Sequence, residues 1–74
     1  MQITIKLFAH FRNNRFNKEV RTIAPGLTVG AIVAELAIVE EEVGVVLING
    51  RHGSLDQALA EGDSLSLFPL IGGG

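Results

Sequence analysis

Seventy-four residues with no cysteine make one domain, which excludes disulfides, thiolate metal sites and a cysteine nucleophile. A chain this short buries only about 60% of the surface its unfolded form exposes, so its apolar residues must supply the core unaided. Six basic against eight acidic side chains give a formal charge of −2, a poor match to a polyanion, so no nucleic-acid partner is expected.

No apolar run approaches the roughly 18 residues of a membrane span. The alternating start, Met1-Gln2-Ile3-Thr4-Ile5-Lys6, lacks the apolar block of a signal peptide. These features predict a soluble, cytoplasmic protein with no membrane contact. Ile3, Ile5 and Leu7 alternate with Gln2, Thr4 and Lys6, the pattern of a strand with one buried and one wet face. Phe8 and Ala9 continue it or begin a turn. His10 to Asn17, with three asparagines and two arginines, reads as a loop that Phe11 and Phe16 pin to the body. Lys18 to Ala24 suits a second strand, antiparallel to the first.

Pro25-Gly26 is a turn signal, and Thr28 stands where a helix N-cap belongs. Val29, Ile32, Val33 and Leu36 then form one apolar stripe of a helix that ends near Ala37 or Ile38. Gly30 in its first turn suggests a close helix–sheet approach. Glu40, Glu41 and Glu42 would sit badly at a helix C-terminus and belong to a loop or short turn. Val45 to Ile48 predicts a third strand, Asn49-Gly50 a tight hairpin, and Arg51 to Gly53 a short return strand. Leu55, Ala58 and Leu59 suggest a single helical turn. Glu61-Gly62-Asp63 is another turn before a last strand whose Leu65 and Leu67 face inward.

The order β-β-α-β-β-β predicts an α+β fold, a mixed sheet of four or five strands on one main helix, with first and last strands adjacent in the middle. That is the ubiquitin-like β-grasp. Residues 1–71 would form the domain and 72–74 a flexible tail. Gly72, Gly73 and Gly74 carry no side chains, so such a tail can thread a narrow channel. Its distinctive chemical group is the Gly74 carboxylate. Period two directs Phe68 outward, where with Pro69, Leu70 and Ile71 it would form an apolar partner-binding patch; the alternative tucks Phe68 against a neighbour. His10 and His52 have no evident third ligand or paired carboxylate, so no metal site is expected.

Several of these segments resemble the MoaD/ThiS family of sulfur carriers. Leu7-Phe8-Ala9-His10-Phe11-Arg12 is similar to the end of the family's first strand, and Pro25-Gly26-Leu27-Thr28-Val29 to its turn into the helix. Leu47-Ile48-Asn49-Gly50-Arg51 resembles its asparagine–glycine hairpin. Glu61-Gly62-Asp63, then Leu65-Ser66-Leu67-Phe68-Pro69 and the final glycines, resembles its closing segment. Phe68-Pro69 and Leu7-Phe8-Ala9 look closer to the MoaD branch.

The resemblance implies a carrier that is not itself catalytic, the small subunit of a molybdopterin synthase-type sulfurtransferase. It binds no cofactor. A ubiquitin-activating-type adenylyltransferase (MoeB/ThiF-like) would use ATP to adenylate Gly74, and a sulfur donor would convert it to a thiocarboxylate. The acceptor would be the pterin precursor of the molybdenum or tungsten cofactor, held by a synthase large subunit (MoaE-like). The other fates are the thiazole of thiamine, as in the ThiS branch, and isopeptide conjugation to protein lysines, as in ubiquitin-like modifiers. An interaction module with an idle tail is a further reading. The family needs two terminal glycines; this chain has three, which leaves Gly73-Gly74 as the functional pair.

Overall fold

The alternation at the start forms β1, Gln2–Leu7, with Ile3, Ile5 and Leu7 buried. The computed structural model describes residues 1–70. β2, Lys18–Thr22, runs antiparallel to β1. The helix α1, Val29–Glu35, is followed by β3, Val43–Ile48, the two-residue β4, Arg51–His52, and β5, Ser64–Pro69. The sheet order is β2-β1-β5-β3-β4, and β1 and β5 pair in parallel at its centre with Leu7 beside Leu67. This is the ubiquitin-like β-grasp, one mixed sheet packed on one main helix. Val29, Ile32 and Val33 face Ile3, Ile5, Leu65 and Leu67 across the core.

The helix begins where its cap residue stands: Thr28 Oγ1 accepts from the Ala31 N–H at 3.2 Å. It ends slightly earlier than the apolar stripe suggests. Ala37 takes φ +58°, its N–H donating to the Ala34 carbonyl and that of Ile38 to Val33. These two bonds form a Schellman stop, sealed by the buried pair Ile38 and Val33. Arg15 reinforces it from the β1–β2 connection, donating to the carbonyls of Leu36, Ala37 and Phe11. That connection is not all loop: Ala9–Arg12 forms a 3₁₀ turn that buries Phe11. A second 3₁₀ turn, Glu40–Glu42, carries the acidic run.

Two expectations are corrected. Residues 54–59 do not form a helical turn. Leu55 and Asp56 lie in a turn, and Ala58 forms an isolated bridge to Thr28. The carbonyls of Gln57 and Leu55 accept the free N–H groups of Val29 and Gly30, at 3.0 and 2.8 Å. A helix start always leaves such donors without intrahelical partners, and this turn directs its carbonyls to meet them. Gly30 accordingly makes room for this segment, not for the sheet. A Cβ there would stand 3.2 Å from the Leu55 carbonyl oxygen.

Candidate functional site: the root of the glycine tail

The central strand β5 carries the chain toward its final glycines. Pro69 is buried opposite Val43 of β3, and Leu70 is exposed, its N–H donating to the Glu42 carbonyl at 2.8 Å. Ile71, Gly72, Gly73 and Gly74 lie outside the described residues, as does the expected boundary between domain and tail. What the structure shows is the root from which they depart.

Gly44 shapes that root. The ladder between β3 and β5 is irregular between Val43 and Val45. A Cβ on Gly44 would meet Leu70 N and Pro69 O, both at 2.9 Å, and Leu70 Cα at 3.0 Å. All three are backbone atoms, so no side chain can swing away to make space. Sequence inspection does not single out Gly44, because its role depends on a segment some 25 residues away.

Phe68 combines the two placements left open for it. It lies on the sheet face opposite α1, but half-buried, because its ring stacks on Phe8 with centroids 4.1 Å apart and planes 10° apart. Phe8 lies just past β1 with extended backbone, and its N–H donates to the Leu67 carbonyl. The parallel register that sets Leu7 beside Leu67 therefore sets Phe8 beside Phe68. Arg12 completes the group. Its Nε donates to the Leu7 carbonyl at 2.8 Å, and its guanidinium carbon lies 5.3 Å from the Phe8 ring centre. Val45 is opposite Phe68 on the same outer face. One row below, that face carries Lys18, Lys6, Ser66, Leu47 and His52 in strand order. The outer surface at the tail root is thus an aromatic pair bordered by cations. His10 is exposed and packs edge-on against Phe11, and so belongs to a separate turn from His52 on β4.

The fold and this geometry can be set beside known proteins. The model of the ThiS family matches residues 5–74. Among solved structures, the Haloferax volcanii protein HVO 2177 aligns at 28% identity and TM-score 0.79, covering 100% of this chain and 87% of that one. A Pyrococcus furiosus protein provisionally assigned as molybdopterin converting factor subunit 1 aligns at 25% identity and TM-score 0.77, covering 96% and 99%. SAMP1, the small archaeal modifier protein 1 of Haloferax volcanii, aligns at 25% identity and TM-score 0.75, covering 100% of both chains. No curated protein sequence matches.

Proposed function

Because the chain belongs to the ThiS family, we propose that it is a ubiquitin-like carrier whose Gly74 carboxylate is activated and handed on by partner enzymes. The observation that carries this reading is the central strand β5. It runs through the middle of the sheet to a packed root at Pro69, beyond which the sequence offers a single reactive group. In the activating step a Gly74 carboxylate oxygen attacks the α-phosphorus of ATP and pyrophosphate leaves, giving an acyl-adenylate. The partner supplies the ATP site, and the proposed setting of the reaction is the cytoplasm. This chain contributes a root held by Gly44 and Pro69 and a docking surface at Phe8 and Phe68, with Leu70 and Ile71 entering the partner's channel.

Two fates follow for the adenylate. A lysine amine can attack the acyl carbon, releasing AMP and a proton and leaving an isopeptide bond; the likeness to SAMP1, named as a modifier, supports this fate. Sulfide supplied by a donor can instead attack the acyl carbon, forming the C–S bond as the C–O bond to AMP breaks, which releases AMP and a proton and leaves a thiocarboxylate. The likeness to a protein assigned as molybdopterin converting factor subunit 1 supports sulfur delivery in molybdenum or tungsten cofactor synthesis, with a MoaE-like large subunit as partner. Delivery to the thiamine thiazole shares the same chemistry.

Intact-mass analysis of the protein from its host separates these fates. Ladders of larger conjugates that vanish when Gly74 is removed mark the modifier. A mass gain of one sulfur for one oxygen marks the sulfur carrier. Absence of adenylation by every activating enzyme of the host would overturn the carrier reading itself.

A further inference from the structure

The strand β2 forms one edge of the sheet, and its outward backbone groups can be assigned. Met1 and Ile23 exchange both of their backbone hydrogen bonds, at 2.9 and 2.7 Å, and the Leu7 N–H donates to Asn17. Bonded and non-bonded pairs alternate along an antiparallel ladder. Asn17, Glu19, Arg21 and Ile23 therefore turn their backbone groups toward β1, whereas Lys18, Val20 and Thr22 turn theirs away from the sheet. Val20, at the centre of the strand, is 60% exposed. On the opposite face Arg21 reaches Glu19 at 2.7 Å and Glu35 of α1 at 3.6 Å.

We propose that β2 pairs antiparallel with β2 of a second copy about a twofold axis through Val20, making one continuous ten-stranded sheet. The order of charges selects both the occupant and the register. In this register Val20 faces Val20 of the second copy, Lys18 faces Thr22, and Glu19 faces Arg21. Lys18, Val20 and Thr22 each donate and accept one hydrogen bond across the axis. Glu19 and Arg21 fall in non-bonded pairs, where side chains approach most closely. The outward parity of the backbone forbids a shift by one residue. A shift by two in either direction sets Glu19 against Glu19 or Arg21 against Arg21. So the strand is complementary to itself in one register and repelled in the adjacent ones.

Both helices then lie on the same side of the joined sheet. β5 is separated from the new seam by β1, so the Phe68 surface and the tail root stay open on both copies. Two five-residue strands bury less than about 1,000 Å², the range of weak and transient pairs. The expected dissociation constant lies between about 10 μM and 1 mM.

The test is sedimentation equilibrium of the full chain together with amide spectra across a dilution series. Self-association should appear, with the amides of Lys18, Val20 and Thr22 shifting on dilution while those of Phe8 and Phe68 stay still. Glu19→Arg and Arg21→Glu should each weaken association by about tenfold, since two cross-strand pairs turn repulsive at once. The double reversal should restore it. A protein that stays monomeric at about 1 mM, or a dimer whose shifting amides lie elsewhere, would overturn the proposal. So would a double reversal that is no tighter than the single ones. The wild-type amide pattern decides the question even if a variant folds poorly.

Discussion

Single residues in this chain hold positions that side-chain chemistry alone does not reveal. Ala37 adopts φ +58° at the Schellman stop, a conformation costing an L-residue about 1–2 kcal/mol. Glycine avoids that cost but loses more chain entropy on folding. Ala37→Gly should therefore stabilise the protein by a net of about 0.5–1 kcal/mol in urea unfolding. An unchanged or lower midpoint would mean that the αL geometry is not limiting there. Gly44 works in the opposite sense, since any Cβ collides with the backbone of Pro69 and Leu70. Gly44→Ala should cost about 1–3 kcal/mol by overpacking and displace the tail root. Val46→Ala, a cavity in the same strand, is the control: at matched stability loss, Gly44→Ala should impair adenylation more. Equal impairment would reduce Gly44 to a packing residue. Asn49 shows how far a residue can be read. Its φ of +53° was legible from Asn49-Gly50, but the bonds of its side chain, which accepts from the Ser64 N–H and donates to the Asp63 carboxylate, were not. Those partners are distant in sequence and meet it only when the sheet forms.

At the scale of elements, local periodicity suffices where one face of an element meets the core. β1, α1 and β5 were legible for that reason, and Leu36 is buried as its stripe predicts. Leu36→Ala should cost about 2–5 kcal/mol in a urea melt; a loss below about half a kcal/mol would contradict burial in a tight core. Residues 54–59 misled because Leu55, Ala58 and Leu59 imitate a helical stripe over too few residues to be decisive. What decides their shape is the demand of α1 for acceptors at its first turn, met by the carbonyls of Leu55 and Gln57. The site was half legible in the same way. Alternation gives the direction of Phe68, whereas its partner Phe8 emerges only from the parallel pairing of β1 with β5. That stack bears on the partner-binding test. Phe68→Ala removes an aromatic contact worth about 0.5–1.5 kcal/mol beyond its buried area, so a modest fall in Tm is expected. Binding to the activating enzyme should fall further than stability does. If affinity holds while Tm drops sharply, the stack is structural and the docking surface lies elsewhere.

The whole molecule combines a rigid root with a measured length of chain. β5 is hydrogen-bonded on both sides, by β1 and β3, and Leu70 is tied to Glu42, so the departure point is set by the fold. The four residues after Leu70 can then extend at most about 13–14 Å. A partner that grips the Phe8–Phe68 face and reacts with the terminal carboxylate reads this distance. Deleting Gly74 leaves an equivalent glycine carboxylate at the end, so the functional group survives, but its reach shortens by about 3.3–3.6 Å. A misplacement of even 1 Å can cost about a hundredfold in a positioned reaction. The deletion should therefore abolish adenylation, read as ATP–pyrophosphate exchange with the cognate activating enzyme, while the thermal melt stays at the wild-type value. Gly72→Ala preserves the length and should retain exchange, because this position need not enter the narrowest part of the channel. Adding one glycine at the end tests the same ruler from the other side and should also slow exchange. If the shortened protein is adenylated as fast as the full chain, distance from the root does not set the chemistry and Gly72-Gly73 becomes the competent pair.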